Sequence, residues 1–412
     1  MVKKGEPLNI LYVGTLPPHP GGSAVSSSTV LIGLAALNHR IRAIAPMTAE
    51  ALQEGDRFAA SHPNIAVTRV LVPFFETTPN VPPAEEYRAL ERQRITEAFS
   101  ALVARERPDV VFVGRETFGW YLPELAHVHR VPSVLRAAGG VTNGILQGTI
   151  PPRLAESLLQ QLRLVHTVIS PAHHLAHALR QLGCWNVTTI PNPVDLDLFF
   201  PTPRDDSLAR SLAIRADEVV VAHASNLKAI KRPLDVVDSA VQALQRNPKL
   251  VYVIVGDGPP RKAMEDACRE KRLMERFRFT GWVDYARMPA YINLADVMLM
   301  PSEAEGLARI YLETQACGRV LVASDIPAAR EVVTDGETGL LFRVGDADDL
   351  AKKTLSAAGD LELRVRIGRN ALERVKAHAL PAALASYVEV FNRASRGQEP
   401  TALCLSPSGY GF

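Results

Sequence analysis

The segment NILYVGTLPPHPGGSAVSSSTVLIGLAAL, residues 9–37, predicts how the chain begins to fold. Its first six residues, Asn9–Gly14, are a short apolar run that is typical of a buried strand. Two glycines follow at Gly21 and Gly22, and a largely apolar stretch of helical length, Ser23–Leu37, comes after them. A strand, a glycine turn and a helix in this order indicate the start of a parallel α/β sheet.

The same alternation of apolar runs with amphipathic stretches continues along the chain. It predicts five further strands before residue 190, at Arg42–Ala45, Ala66–Val72, Val110–Val113, Ser133–Arg136 and Thr167–Ser170. A second series of strands is predicted at Val219–Ala224, Leu250–Val255, Arg278–Thr280, Val297–Met300, Val320–Ala323 and Leu340–Arg343. Between the two series, Ile190–Pro203 contains four prolines, which interrupt regular structure and indicate a domain boundary.

A chain of 412 residues is longer than one hydrophobic core usually serves. We predict an N-terminal Rossmann-like domain at residues 1–195, with residues 381–396 as a helix that crosses back to it. Residues 196–380 then form a C-terminal Rossmann-like domain. Doubly wound parallel sheets bind ligands beyond the carboxyl ends of their strands, so we expect the two domains to face a cleft. The last residues, 397–412, lack periodicity and are predicted to be disordered.

The composition argues against several classes of function. Apolar residues make up 47% and charged residues 22%, as in an ordinary globular protein. The net charge of +2 gives no support to nucleic-acid binding or to docking on anionic lipid. The sequence has no apolar stretch of about 18 residues, and its first residues do not resemble a signal peptide. We therefore expect a cytoplasmic protein with no nucleic-acid partner and no indicated membrane association, and the oligomeric state stays open.

The sequence also argues against a metal site. Its four cysteines are scattered, with no CxxC pair and no histidine at ligand spacing. Two aspartate pairs, Asp195 with Asp197 and Asp205 with Asp206, fall in or beside the Pro-rich linker rather than at a strand end. We expect no metal and no required cofactor.

The stretch PSEAEGLARIYLETQACG, Pro301–Gly318, carries the clearest chemical signal. Glu305 and Glu313 lie on either side of a helix predicted to begin at about Leu307, and the amides of Leu307 and Ala308 would form its positive end, which suits a diphosphate. About two turns into the helix, Glu313 could reach the vicinal hydroxyls of a ribose, and Glu305 those of a sugar. Two acids around a helix start could equally face solvent, so the spacing leaves both interpretations open.

Three loops at predicted strand ends offer further candidates. The loop ASNLKAIKR, residues 224–232, brings Asn226, Lys228 and Lys231 together, where the cations could bind phosphate or be solvated. The turn VGDGP contains Gly258, which tight-turn geometry alone would explain. The glycines that follow the first strand, Gly21 and Gly22, would let the backbone approach a phosphate, or would only form a turn.

Three segments, EGLARIYLETQACG from Glu305, VASDIPAAREVV from Val322 and DGETGLLF from Asp335, resemble the donor-site signature of retaining family 4 (group 1) glycosyltransferases. The resemblance covers most of residues 9–395 and is most specific at 219–350. It implies the GT-B fold of two Rossmann-like domains that face a cleft.

The resemblance also implies roles for individual residues. Glu305 and Lys231 would be catalytic, with Lys231 neutralising the leaving phosphate. The remaining candidates would bind the donor: Gly21, Gly22, Asn226, Lys228, Gly258, Val283, Leu307, Ala308 and Glu313. Within this set Val283 would line the nucleobase pocket. One departure is the segment VLRAAGGVTNG, where many family members carry a His-Gly pair, and here Arg136, Thr142 and Asn143 are the polar groups available.

The reaction implied by the resemblance is transfer of a sugar, with retention of anomeric configuration, from a nucleotide sugar to a hydroxyl acceptor. It would proceed by metal-independent front-face displacement, and a UDP-sugar is the expected donor. Two alternatives stay open, a nucleotide-sugar epimerase of the same fold and a degenerate, non-catalytic protein that binds sugar nucleotides.

Overall fold

The structure is a computed structural model that describes residues 6–19, 21–53, 55–73 and 85–400. Its contacts divide the chain into two units: unit 1 is Met1–Asn192 with Leu380–Phe412, and unit 2 is Pro193–Ala379.

Unit 1 is built on a parallel sheet that has seven strands within the described residues, in the order β3-β2-β1-β4-β5-β6-β7. The strands are β1 (Asn9–Val13), β2 (Arg40–Thr48), β3 (Ile65–Val72), β4 (Val110–Val113), β5 (Ser133–Arg136), β6 (Thr167–Ser170) and β7 (Val187–Thr189). The helices are α1 (Gly22–Ala36), α2 (Ala49–Gln53), α3 (Arg57–Ser61), α4 (Glu85–Arg105), α5 (Leu122–Val128), α6 (Gly140–Leu146), α7 (Pro152–Leu162) and α8 (His173–Gln181).

Unit 2, whose residues are described without a gap, has a six-stranded parallel sheet in the order β10-β9-β8-β11-β12-β13. The strands are β8 (Val219–Ala224), β9 (Leu250–Val255), β10 (Phe277–Gly281), β11 (Val297–Met300), β12 (Val320–Ser324) and β13 (Leu340–Phe342). The helices are α9 (Asp206–Ser211), α10 (Pro233–Arg246), α11 (Arg261–Glu270), α12 (Met288–Leu294), α13 (Arg309–Ala316), α14 (Pro327–Arg330), α15 (Ala347–Gly359) and α16 (Leu361–Val375).

The last helix, α17 (Leu380–Ser395), packs against α1 and β4 of unit 1. Its Tyr387 and Phe391 rings lie 5.7 and 5.3 Å from the ring of Phe112 on β4. Residues 397–400, predicted as part of a disordered tail, instead turn back on this helix, because Arg393 Nε donates to the carbonyl of Glu399 at 3.0 Å. The rest of that predicted tail, residues 401–412, lies outside the described residues.

The strands form where the sequence has short apolar runs because both faces of each sheet are covered by helices. All six residues of β9 and all four of β4 are buried, for example. The prediction of two parallel α/β domains is therefore confirmed. In both sheets the strand order reverses once, between β1 and β4 and between β8 and β11. Such a reversal is the position where doubly wound sheets bind ligands.

Candidate active site

The reversal of strand order in unit 2 brings together two loops that are distant in sequence. Residues 225–232 follow β8, and residues 301–308 follow β11, its neighbour in the sheet. The amide of Glu303 donates to the carbonyl of Ile230 at 2.8 Å and joins the loops directly. The basic loop (residues 225–232) and the acidic loop (residues 301–308), which were predicted separately, therefore contact each other directly.

Lys231 and Glu305 form an ion pair at this junction. Lys231 Nζ lies 2.5 Å from Glu305 Oε1, although 74 residues separate them in sequence. Ser302 Oγ donates to the same carboxylate oxygen at 2.7 Å. The two charged side chains are only 19% and 8% exposed, which is less than for a surface pair. Lys228, by contrast, is an exposed residue at the start of the short 3-10 helix Ala229–Lys231.

A buried histidine, His223 on β8, supports the basic loop. Its Nδ1 lies 2.9 Å from the carbonyl oxygen of Leu299, which can only accept, so Nδ1 carries the proton. Nε2 then accepts from Ser225 Oγ at 2.8 Å, and Ser225 Oγ accepts from the amide of Leu227 at 3.0 Å. The pKa of His223 is lowered to about 4, mainly by burial and to a smaller extent by the positive charge of Lys231, while the Leu299 carbonyl and the Glu305 carboxylate oppose the shift. The imidazole beside the ion pair is therefore neutral at pH 7.

The turn after β9 packs tightly against the basic loop. A Cβ atom added at Gly258 would lie 2.3 Å from the carbonyl oxygen of Asn226. Packing between the two loops therefore requires glycine there, independently of any ligand. Asn226 Oδ1 is buried, and no side chain or amide in the described part of the chain donates a hydrogen bond to it.

The helix that carries Glu313 begins later than predicted. It starts at Arg309, and Ala308 is its N-cap with extended backbone angles, φ −67° and ψ 124°. The prediction that Leu307 and Ala308 form the first helical turn is therefore wrong, because the extended backbone of Ala308 keeps both residues in the loop before the helix. The first helical amides belong to Arg309 and Ile310, and Glu313 lies about one turn into the helix rather than two.

Glu313 is buried in a cluster of three side chains. Tyr285 Oη donates to Glu313 Oε1 at 2.9 Å, and Arg309 Nε donates to the same oxygen at 3.1 Å. The guanidinium of Arg309 lies 4.6 Å from the centre of the Tyr285 ring and donates to the phenol oxygen. Both residues were missed in the sequence. Arg309 is one helical turn before Glu313, a detectable spacing, whereas Tyr285 is 28 residues away and gives no local signal.

Val283 follows β10 and is half-buried, between the exposed Trp282 and the short helix that begins at Tyr285. It thus lies two residues from the Glu313 cluster along the chain. Its contact with a nucleobase stays a prediction.

In unit 1, Gly21 and Gly22 begin α1, and the N-cap Gly21 has φ 108°. A Cβ added at either glycine would meet no described atom within 4 Å. Gly21 therefore has a backbone reason to be glycine, since φ values in this region are strained for other residues. Packing against the described residues does not explain Gly22.

The segment without the usual His-Gly pair is held by a glutamate that was not predicted. Glu116 Oε2 accepts from the amide of Val141 at 2.9 Å, and Glu116 Oε1 accepts from Thr142 Oγ1 at 3.0 Å. Burial raises the pKa of Glu116. Arg136 is buried against Tyr387 of α17. Arg136 and Thr142 of that segment thus have structural partners.

The aspartates of the linker have local structural roles. Asp205 caps α9 by accepting from the amides of Ser207 and Leu208, and Asp195 Oδ1 accepts from the amide of Asp197 at 3.0 Å. In the part of the chain that the structure describes, no group of three or more His, Cys, Asp or Glu side chains is arranged to hold a metal ion. Among the same residues, no helix has the length and apolar character to cross a bilayer.

Family models match residues in both units of the chain. Residues 20–198 match the family model for "Glycosyltransferase Family 4", and residues 205–374 match the model for "Glycosyl transferases group 1". A relative from Bacillus anthracis, N-acetyl-alpha-D-glucosaminyl L-malate synthase, is 28% identical over 51% of this chain and 53% of its own length. The chain spans about half the length of the curated relatives it matches.

Solved structures show the same fold. Anabaena HepE in complex with UDP and glucose covers 93% of this chain and 99% of its own, with a TM-score of 0.76 and 18% identity. Sucrose-phosphate synthase from Thermosynechococcus elongatus covers 94% and 99%, with a TM-score of 0.79 and 20% identity. With its two Rossmann-like units and both family matches, the chain belongs to the group 1, family 4 glycosyltransferases, which have the GT-B fold.

Proposed function

We propose that the chain transfers a sugar from a nucleotide sugar to a hydroxyl acceptor, with retention of anomeric configuration and without a metal ion. The donor we propose is a UDP-sugar. The single observation that carries the proposal is the Lys231–Glu305 ion pair, which lies where the strand order of unit 2 reverses. A cytoplasmic location belongs to the same proposal.

The pair combines the two functions that a donor site needs. The ammonium of Lys231 stabilises negative charge on the leaving diphosphate, and the first amides of α13 add the positive end of a helix. Glu305 accepts hydrogen bonds from hydroxyls of the transferred sugar, and Glu313 accepts from those of the ribose. Because His223 is neutral at pH 7, it does not compete with Lys231 for the phosphate charge.

The reaction follows from these positions. The bond between the anomeric carbon and the phosphate oxygen breaks, and charge develops on the diphosphate beside Lys231. The acceptor hydroxyl attacks the same face of the sugar and gives its proton to the departing phosphate oxygen. The products are the glycoside and the nucleoside diphosphate, and no step requires a nucleophilic side chain. The main contribution of the protein is therefore electrostatic stabilisation and orientation.

The names of related proteins support the choice of donor. HepE was solved with UDP and glucose, and the Bacillus anthracis relative is named for the transfer of an N-acetylglucosaminyl group. Both are compatible with a UDP-sugar at the site described above.

A thermal-shift screen with UDP-, GDP-, ADP- and dTDP-sugars tests the donor. A bound donor at about 100 times its Kd stabilises the protein by about 2.7 kcal/mol, which raises the Tm by about 3 °C when a chain of 412 residues unfolds cooperatively. The stabilising donor is then incubated with a panel of hydroxyl acceptors, and the anomeric configuration of the product is read by NMR. We expect a retained product at the same rate with and without EDTA. An inverted product, or activity that is lost on chelation and restored by a divalent cation, would contradict the proposed mechanism.

The two alternatives predict different results in the same experiment. An epimerase would convert the donor when no acceptor is present. A degenerate binding protein would be stabilised by the donor but would release no UDP with any acceptor of the panel.

A further inference from the structure

The mechanism above uses Glu313 but not the two side chains that hold it. Arg309 and Glu313 lie one turn apart on α13, and Tyr285 comes from the segment after β10. A chain of hydrogen bonds joins them, because Arg309 donates to Glu313 and to Tyr285, and Tyr285 donates to Glu313. The carboxylate is thus held from two different elements of the fold.

This arrangement is more constrained than an ordinary ion pair on a helix surface. The Arg309 and Glu313 side chains are only 11% and 6% exposed. Phe199 packs near the ring of Tyr285, with 5.4 Å between the ring centres, and the guanidinium of Arg309 stacks on the same ring. Burial raises the pKa of Tyr285, and the charge of Glu313 raises it further, so the phenol remains a donor. Hydrogen bonds in such a dry cluster are strong and directional.

The contacts are distributed unequally over the two carboxylate oxygens. Tyr285 Oη, Arg309 Nε and Arg309 Nη2 all lie within 3.1 Å of Oε1 of Glu313. The other oxygen, Oε2, is therefore the one that these partners leave for a ligand. Because these contacts hold Oε1 in place, the direction in which Oε2 points is fixed as well.

We infer that Arg309 and Tyr285 are positioning residues that make the site select ribose over deoxyribose in its nucleotide. This inference rests on the proposed function, in which Glu313 binds the ribose hydroxyls. A fixed carboxylate oxygen accepts from both vicinal hydroxyls of a ribose. A 2′-deoxyribose supplies one donor fewer and leaves part of a buried, charged acceptor unpaired, and buried polar sites discriminate strongly against such a loss.

The test is the ratio of Kd values for matched nucleotides, measured by calorimetry with UDP and 2′-deoxy-UDP and with GDP and 2′-deoxy-GDP. A hydrogen bond to a charged group corresponds to a difference of about tenfold to a hundredfold in Kd, so we expect the wild type to prefer the ribonucleotide by at least about tenfold. Arg309→Met should weaken binding of the ribonucleotide and leave that of the deoxynucleotide almost unchanged, so that the ratio falls towards one.

Two further variants separate positioning from folding. Tyr285→Phe retains the ring under the guanidinium but loses the hydroxyl that donates to Glu313. We expect its ratio of Kd values to lie between those of the wild type and Arg309→Met. Arg309→Lys retains the charge without the planar fork, so it should restore only part of the selectivity. Arg269→Met is the matched control, because Arg269 forms an exposed ion pair with Asp266 on α11, outside the segments that carry the donor-site signature, and its ratio should equal that of the wild type.

The outcomes are distinct. Equal weakening of ribonucleotide and deoxynucleotide by Arg309→Met, with an unchanged ratio, would show a merely structural role and overturn the inference. A wild type that binds both nucleotides of a pair equally well would also overturn it, while leaving the proposed transfer reaction intact. A folded wild type that binds no nucleoside diphosphate at all would overturn the inference together with the proposed function.

Discussion

Replacing Lys231 by methionine removes the ammonium group and keeps most of the aliphatic stem. At an effective dielectric constant of about 20, an ammonium about 3 Å from a phosphate oxygen contributes about 5 kcal/mol. Only the charge that develops as the glycosidic bond breaks lowers the barrier, and about half a charge corresponds to about 2.5–3 kcal/mol. We therefore expect Lys231→Met to reduce kcat by about a hundredfold.

The structure also predicts that the loss affects kcat more than folding or nucleotide affinity. Glu305 keeps its hydrogen bond from Ser302 at 2.7 Å, so the loop after β11 should stay in place and the protein should remain folded. Because the interaction strengthens as the transition state forms, kcat should fall more than the affinity for the nucleoside diphosphate. The assay is UDP release at saturating donor, with Kd measured by calorimetry and Tm by thermal unfolding.

Lys262→Met is the matched control, because the Lys262 side chain is 84% exposed on α11 and pairs with the surface residue Asp266. Its kcat should stay within about twofold of the wild type, as for most surface changes. A loss of less than about threefold in Lys231→Met, or an equal loss in the control, would refute the assignment of Lys231 to the leaving group. A loss of affinity without any change in kcat would assign Lys231 to ground-state binding alone.

Three other predictions concern the glycines and the buried histidine. Gly22→Ala should leave the free energy of unfolding unchanged or raise it by up to about 1 kcal/mol, since the new Cβ meets no described atom. The same change should weaken donor binding if a phosphate of the donor approaches the Gly22 backbone. Unchanged Kd and kcat would show that Gly22 only begins the helix. Gly258→Ala places a Cβ 2.3 Å from the carbonyl oxygen of Asn226 and should destabilise unit 2 by about 2–3 kcal/mol, measured by urea unfolding. A variant with the same urea midpoint as the wild type would show that the two loops can move apart at little energetic cost. The folded-state pKa of His223, about 4, lies below the ordinary histidine pKa of about 6.5, so the unfolded chain binds the proton more readily. Stability therefore falls as the pH drops from about 6.5 towards 4, by up to about 3 kcal/mol. Urea unfolding of His223→Leu should show a smaller loss between pH 7 and 4.5 than the wild type, and equal losses would assign the acid sensitivity to other groups.

Much of the fold was predictable because buried parallel strands leave a local signature. The strands β4, β8, β9 and β11 were predicted with the bounds that the structure has, since each is a short apolar run, which in β8 also contains His223. Strand β7 was missed because three residues, Val187–Thr189, are too few to form a recognisable run. The helix α13 was placed two residues early because a predicted start depends on backbone angles at Ala308 that its sequence does not reveal.

The candidate site was predictable as a set of residues but not as an arrangement. Glu305, Glu313 and Lys231 were identified from their resemblance to a family signature, and their catalytic and binding roles stay predictions. Tyr285 and Arg309 were missed, because an aromatic residue and an arginine near strand and helix ends are common and carry no motif of their own. Their significance depends on contact with Glu313.

The amino-acid sequence by itself determined the class of fold, the family and the residue types available for chemistry, because periodicity, turns and motifs are local properties of a chain. Only the tertiary structure decided which of those residues meet. The order of the strands in unit 2 makes β8 and β11 neighbours, and this places Lys231 2.5 Å from Glu305 across 74 residues. Burial also decided the chemical state of the neighbouring His223, since its low pKa arises mainly from the loss of water around the ring on folding.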